Sequence, residues 1–158
     1  MHIAVCDDEK CCLEAMERLL KDYPGISRVE YYGKLEDLSE AQKNGTTYDL
    51  IFMDIEGDGN AENGIQYAAQ YNCQSPRTQF IFVTAYNDKF SQEIFWEKLN
   101  LCGFLVKPVQ KENLEKLLDK VREKIFGSEA LVLQHGGTTE KIPSNQIRYL
   151  ESNAHQIV

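Results

Sequence analysis

Five short runs along the chain have the pattern of strands in a parallel β-sheet. Four of them are almost continuously apolar and are followed by polar residues, as expected of strands that are covered on both faces. The fifth, Arg28–Tyr32, has a smaller share of apolar residues, which alternate more with polar ones, and this pattern suits an edge strand. The four apolar runs are residues 3–6, 50–53, 80–83 and 104–106.

Helical spacing of apolar residues separates these runs. The two clearest stripes cover residues 12–23, which precede Pro24-Gly25, and residues 114–125, which precede Gly127. Because strand and helix alternate along the chain, right-handed crossovers require a parallel sheet with helices on both faces. Weaker patterns predict helices over 34–44, 64–72 and 88–98.

The pattern changes after Gly127-Ser128. Short strand-like segments joined by turn residues follow it, at 131–133, 140–142 and 147–150. A segment of about 30 residues is too short to bury a core of its own. The sequence therefore predicts a first domain over residues 1–127 and a short C-terminal β appendage over residues 128–158.

Composition and charge argue against a nucleic-acid-binding, membrane or secreted protein. The chain has 158 residues, of which 42% are hydrophobic and 27% charged, as in ordinary globular proteins. Its formal net charge of −8 leaves no basic face for a nucleic-acid backbone. No apolar run approaches the roughly 18 residues of a membrane span, and the early acidic residues do not fit a signal peptide. We therefore expect a cytoplasmic protein, not bound to membranes, whose 5 cysteines are free thiols.

Polar residues at the ends of the predicted strands carry the candidate chemistry. Asp7 and Asp8 follow the first strand, and Asp54 follows the third. Thr84 and Lys107 follow the fourth and fifth strands, and the carboxyl ends of parallel strands meet at one edge of a sheet. Carboxylates in such a crevice suit Mg²⁺, and an aspartate can accept a phosphoryl group as a nucleophile. The hydroxyl and the ammonium would then stabilise charge on the transferred group.

Each of these residues also has an ordinary structural interpretation. Asp8 could cap the N-terminus of the first helix, and Asp54 could be a solvated strand end. Thr84 suits a strand because it is β-branched, Lys107 could be a surface lysine, and Phe104 a core aromatic. Their joint placement at the ends of the matching strands, in the matching order, favours a functional site.

Four segments resemble the receiver domain of bacterial two-component response regulators. They are AVCDDE (4–9), LIFMD (50–54), FVTA (82–85) and GFLVKP (103–108). The resemblance covers residues 1–126 and implies a flavodoxin-like (βα)5 doubly wound sheet with strand order 2-1-3-4-5. It also implies a signalling switch that is phosphorylated by a sensor histidine kinase. Such a protein is not a conventional enzyme, since it catalyses only its own phosphorylation and dephosphorylation.

The resemblance further implies a metal-dependent phosphorylation site. Asp54 would be the phosphoacceptor, and Asp7 and Asp8 would bind Mg²⁺ together with it. The backbone carbonyl of Glu56 would complete the shell of metal ligands.

The same resemblance implies how phosphorylation is sensed. Thr84 and Lys107 would contact the phosphoryl group, and Phe104 would change rotamer together with Thr84. The Lys107–Pro108 peptide bond would be cis.

The loop that follows Asp54 departs from the family pattern. Receivers commonly have a proline four residues after the phosphorylated aspartate, and the corresponding position here is Asp58. The loop over 55–64 is also longer than usual and contains Gly57 and Gly59. Because of this difference, the sequence does not determine how phosphate reaches the site or how long the phosphoryl group lasts. The assignment of the site is unaffected.

The tail has a resemblance of its own. Residues 131–152 are similar to the opening strands of a LytTR-type DNA-binding domain, with a hairpin, an Ile-Pro turn and an Ile-x-Tyr-Leu-Glu strand. Since a complete domain needs about 100 residues, we expect 128–158 to be a linker and an N-terminal fragment of such a domain. DNA binding would then require the complete output domain of a transcriptional regulator. The uncovered strands could also pair two copies into a homodimer.

Two other classes of protein remain as alternatives. A flavodoxin-like FMN carrier would need a Ser, Thr and Gly loop after its first strand, where this chain has Asp7-Asp8-Glu9. A phosphatase with an aspartyl nucleophile would need its Asp-x-acid pair on the first strand, whereas Asp54 and Glu56 follow the third. Incubation with FMN or with a phosphomonoester would distinguish these classes.

Overall fold

The computed structural model describes residues 1–55, 61–85, 99–127, 130–135, 138–143, 152–153 and 156–157. The predicted helix over 88–98, the predicted strand over 147–150 and Glu56 lie outside the described residues.

The described part of the first domain is built on one parallel sheet of five strands. The strand order is β2-β1-β3-β4-β5, and every pairing in the sheet is parallel. The predicted flavodoxin-like order is therefore confirmed, and β2 lies at an edge as its alternating pattern indicated. The strands are β1 (His2–Cys6), β2 (Arg28–Tyr32), β3 (Leu50–Asp54), β4 (Gln79–Thr84) and β5 (Leu101–Val106).

Four described helices accompany this sheet. They are α1 (Lys10–Leu20), α2 (Leu35–Lys43), α3 (Ala61–Gln74) and α4 (Lys111–Phe126). The stripe that predicted the first helix ran on to Tyr23, but the chain turns after Leu20, and the backbone N–H of Tyr23 donates to the Leu20 carbonyl over 3.2 Å. Glu9 occupies the N-cap position of α1, so the alternative in which Asp8 caps this helix is wrong. None of the described helices is both long and apolar enough to cross a membrane.

The central strands form the core because both of their faces are covered. Every residue of β4 is buried, and so are the first four residues of β3. Aromatic side chains fill much of this volume, and the rings of Phe80 and Phe82 lie 6.5 Å apart at their centroids. Burial of each large apolar side chain stabilises the fold by about 1.5–3 kcal/mol. The carboxyl ends of β3 and β4 are therefore held by a packed core.

Strand β5 begins three residues before its predicted start at Phe104. Cys102 and Leu105 are its buried residues. Gly103 interrupts the apolar residues of the strand, so the predicted run covers only its second half. The start is held by Asn72, whose side-chain amide donates to the Thr78 carbonyl over 2.9 Å. The carbonyl oxygen of the same side chain accepts the backbone N–H of Asn100 over 2.7 Å.

The chain divides into two compact units, Met1–Leu118 and Asp119–Val158. In the second unit, β6 (Ala130–His135) and β7 (Thr138–Pro143) form an antiparallel pair. This pair confirms the predicted β appendage. Two short strands, β8 (Ser152–Asn153) and β9 (Gln156–Ile157), also pair in antiparallel fashion.

Candidate functional site

The ends of β1, β3 and β5 bring three charged residues together. Asp7 directly follows β1, Asp54 is the last residue of β3, and Lys107 directly follows β5. Backbone hydrogen bonds extend the sheet at two of these positions. The N–H of Asp7 donates to the Tyr32 carbonyl over 3.0 Å, and the N–H of Lys107 donates to the Thr84 carbonyl over 2.9 Å. The sheet itself thus orients these side chains.

The ammonium of Lys107 lies at the centre of the site. Its Nζ is 2.6 Å from Oδ2 of Asp54 and 2.9 Å from Oδ2 of Asp7. The side chains of Lys107, Asp7 and Asp54 are only 13%, 4% and 3% exposed. A third carboxylate, that of the exposed Glu9, lies 3.3 Å from the same ammonium through Oε1. One cation therefore contacts three carboxylates at the mouth of the crevice.

Burial and the neighbouring charges shift the pKa values of Lys107 and Asp7 in opposite directions. Burial alone would lower the pKa of Lys107, but hydrogen bonds to Asp54 and Asp7 outweigh it and hold the pKa above its ordinary value. Burial raises the pKa of Asp7, and the hydrogen bond from Lys107 offsets this only in part. The nearby positive charge of Lys107 lowers the pKa of Glu9.

Three carboxylates of the site are close enough to share a metal ion. Asp7, Glu9 and Asp54 offer oxygens that all lie within 4.8 Å of one another. The backbone N–H of Glu9 also donates to Oδ1 of Asp7 over 2.9 Å, which fixes the turn between them. Asp8, the fourth acid, is exposed. Glu9 was not foreseen as a member of the cluster, and its only signal was its place as the third acid after β1.

Thr84 lies beside the charged residues, and Phe104 lies on the neighbouring strand β5. Thr84 ends β4, is buried and stands opposite Val106 in the register of β4 and β5. Phe104 is 39% exposed, and its ring centroid lies 5.9 Å from that of Phe82. The Lys107–Pro108 peptide bond is cis. The backbone carbonyl of Glu56, implied as a metal ligand, lies outside the described residues.

Comparison with known proteins agrees with this fold. A family model described as the response regulator receiver domain matches residues 3–119. The chain belongs to this family, whose members are two-component signalling proteins rather than classical enzymes. Phosphorylation-dependent signalling is consistent with that membership.

Known proteins that are similar to this chain include sensory transduction proteins and a regulator of alginate biosynthesis. The sensory transduction protein LytR of Staphylococcus epidermidis is 31% identical over 121 residues, which are 77% of this chain and 46% of that protein. LytT of Enterococcus faecalis is 23% identical over 79% of this chain and 49% of that protein. The positive alginate biosynthesis regulatory protein of Pseudomonas aeruginosa is 29% identical over 76% of this chain and 46% of that protein. The predicted relationship to LytTR-type regulators is confirmed, and the chain spans about half the length of these relatives.

Solved structures show the same fold. The N-terminal domain of a response regulator/sensory box/GGDEF protein from Carboxydothermus hydrogenoformans matches with a TM-score of 0.64 at 25% identity. That match covers 77% of this chain and 93% of the other. The beryllofluoride-activated DrrB receiver domain matches with a TM-score of 0.62 at 22% identity, over 77% of this chain and 97% of the other.

Proposed function

We propose that this chain is a phosphorylation-driven switch in which Asp54 accepts a phosphoryl group from a sensor histidine kinase in the cytoplasm. The observation that carries the proposal is the contact of one ammonium with two nearly buried carboxylates at the carboxyl edge of the sheet. Lys107 Nζ lies 2.6 Å from Asp54 and 2.9 Å from Asp7. A lysine so placed can move from a carboxylate to a phosphoryl oxygen without leaving the site.

The donor set suits a hard divalent cation. Carboxylate oxygens are the ligands that Mg²⁺ prefers in proteins, and those of Asp7, Glu9 and Asp54 lie within 4.8 Å of one another. Asp7, Asp8 and Asp54 would hold Mg²⁺, with the Glu56 backbone carbonyl as a further ligand. When bound, the metal supplies positive charge to the oxygens of the transferring phosphoryl group.

Asp54 is the residue suited to nucleophilic attack. Its carboxylate is shielded from water and lies 2.6 Å from the ammonium of Lys107, and an aspartate carboxylate can act as a nucleophile. A carboxylate oxygen attacks the phosphorus atom, a P–O bond forms, and the P–N bond to the donor histidine breaks so that the imidazole leaves. Lys107 and the hydroxyl of Thr84 then stabilise the negative phosphoryl oxygens.

The output of the switch is a change in the protein surface around β4 and β5. Thr84 is buried next to the site, whereas Phe104 is partly exposed on the neighbouring strand. Movement of Thr84 toward the phosphoryl group would free space for Phe104 to turn inward and would shift a pre-existing equilibrium. Residues 1–127 form the receiver in this proposal, and 128–158 lead into a LytTR-type output domain that binds DNA when complete.

A small phosphodonor tests the proposal directly. Acetyl phosphate with Mg²⁺ should add one phosphoryl group, seen by intact mass spectrometry, and Asp54→Asn should abolish the adduct. Asp22→Asn is the matched control, since Asp22 is an exposed aspartate outside the cluster, and it should label like the wild type. Persistent labelling of Asp54→Asn, or equal labelling without Mg²⁺, would contradict the proposal.

A further inference from the structure

The carboxylates of Asp7, Glu9 and Asp54 form an acidic cluster. Two thiols lie beside it and are not used in the proposed phosphorylation. Cys11 is exposed and Cys12 is half-buried, and both are free cysteines in the first turn of α1. Both thiols donate to the same carboxylate oxygen, Oε2 of Glu9, over 3.7 Å. The two sulfurs and the Glu9 carboxylate all lie within 4.8 Å of one another.

We propose that Glu9, Cys11 and Cys12 bind a thiophilic divalent cation of the Zn²⁺ class. Two sulfurs and one carboxylate oxygen form a donor set that zinc and cadmium accept and that Mg²⁺ does not favour. A water molecule would fill the fourth, open position. The site goes beyond the proposed phosphorylation switch and does not depend on it.

The spacing of the donor atoms supports this assignment. Zn–S bonds of about 2.3 Å and Zn–O bonds of about 2.1 Å at a tetrahedral angle place sulfur and oxygen about 3.6 Å apart. The 3.7 Å from each sulfur to Glu9 Oε2 is therefore already close to a coordinating arrangement. The two sulfurs lie within 4.8 Å of each other. On binding, the protons of the two thiols pass to solvent as metal–sulfur bonds form.

Glu9 belongs both to this site and to the acidic cluster. Its Oε2 faces the two thiols, whereas its Oε1 lies 3.3 Å from Lys107 Nζ. The two oxygens of one carboxylate thus face a soft-ligand site and a hard-ligand site. A thiophilic cation and Mg²⁺ should therefore bind side by side and select different donors.

Titration with Cd²⁺ under a thiol-free reductant tests the site, because cadmium–thiolate bonds give a charge-transfer absorption in the ultraviolet. We expect one Cd²⁺ per chain, with the absorption kept in excess Mg²⁺. The double variant Cys11→Ser/Cys12→Ser should lose the absorption. Glu9→Gln should keep it and lose about tenfold in affinity.

Cys73→Ser is the matched control, because Cys73 is an exposed free cysteine on α3. It should bind Cd²⁺ like the wild type, and circular dichroism should show that all variants are folded. Unchanged absorption in the double variant, loss of absorption in Cys73→Ser or in excess Mg²⁺, or one Cd²⁺ per two chains would overturn the assignment. Phosphoryl labelling is measured without Cd²⁺, so failure of this site and failure of the switch are distinguishable.

Discussion

The ammonium of Lys107 lies 2.6 Å from the carboxylate of Asp54, although the two residues are 53 positions apart in the chain. They meet because β4 is the only strand between β3 and β5 in the described sheet. The same ammonium also contacts Asp7 over 2.9 Å. Lys107 thus compensates two carboxylates that would otherwise be buried as like charges, which is costly in a protein interior.

Replacing Lys107 should make the protein less stable and more responsive to Mg²⁺. In Lys107→Met the carboxylates of Asp7 and Asp54 lose their counter-charge, which should cost about 3 kcal/mol in the free energy of unfolding without metal. Because a bound cation restores that charge, Mg²⁺ should raise the melting temperature more in the variant than in the wild type. Thermal unfolding with and without Mg²⁺ measures both effects.

Lys111→Met is the control for this prediction. Lys111 is 67% exposed and pairs with Glu115 over 3.8 Å, so its replacement should change stability by less than about 1 kcal/mol. A Lys107→Met variant that is as stable as the wild type in metal-free buffer would show that the contact is not stabilising.

Loss of the Thr84 hydroxyl should uncouple phosphorylation from its output. Thr84→Ala should still be labelled at Asp54, but amide NMR signals of β5 around Phe104 should shift little when beryllofluoride is added. Lys107→Ala should behave in the same way. Thr84→Ser keeps a hydroxyl at this position and should retain most of the response. Equal shifts in wild type, Thr84→Ala and Lys107→Ala would refute the coupling.

Gly103 on β5 should tolerate no larger residue without cost. A Cβ atom at this position would lie 2.8 Å from Cδ2 of Leu117 on α4, so the leucine must move or the helix must shift. We expect Gly103→Ala to destabilise the protein by about 1–3 kcal/mol in urea unfolding. At Gly33 nothing lies within 4 Å of a new Cβ, and Gly33→Ala should stay within about 0.5 kcal/mol of wild type. Equal midpoints for the two variants would contradict this account.

Glu30 should make stability depend on pH. Its carboxylate accepts hydrogen bonds from Tyr32 over 2.5 Å and Tyr48 over 2.9 Å, and it pairs with Arg28 over 2.8 Å. The hydrogen bond from Tyr32, followed by that from Tyr48, holds the pKa of Glu30 below its ordinary value. A lowered folded-state pKa gives stability that is full above the unfolded pKa of about 4.3 and is lost as pH falls through the folded value.

Glu30→Gln should therefore cost about 1 kcal/mol at pH 7 and progressively less at lower pH. Urea unfolding at pH 7 and near pH 3 measures the difference. Glu40→Gln is the control, since Glu40 is an exposed residue of α2, and its effect should be small at both pH values. A cost for Glu30→Gln that grows on acidification would show that the sign is wrong.

Much of the fold was predictable because doubly covered strands have a distinctive composition. The apolar runs that end at Cys6, Met53 and Val83 located three neighbouring strands to within a residue at each end. Strand β5 was predicted too short because Gly103, which has no side chain to bury, interrupts the apolar residues of the strand. Helix α3 likewise begins at Ala61 rather than 64, where the apolar spacing is weak.

The sequence by itself determined which chemical groups stand at the carboxyl edge of the sheet. An acid after β1, an acid at the end of β3 and a lysine after β5 follow from strand order alone, since parallel strands present their carboxyl ends together. Only the tertiary structure decided how these groups pair. Distances of a few ångströms depend on the register and twist of the sheet and on side-chain rotamers, which local sequence patterns do not encode. Hence Lys107 was expected at the site, but only the folded structure shows that it contacts both Asp7 and Asp54. The folded structure also places Glu9 between that ammonium and two thiols.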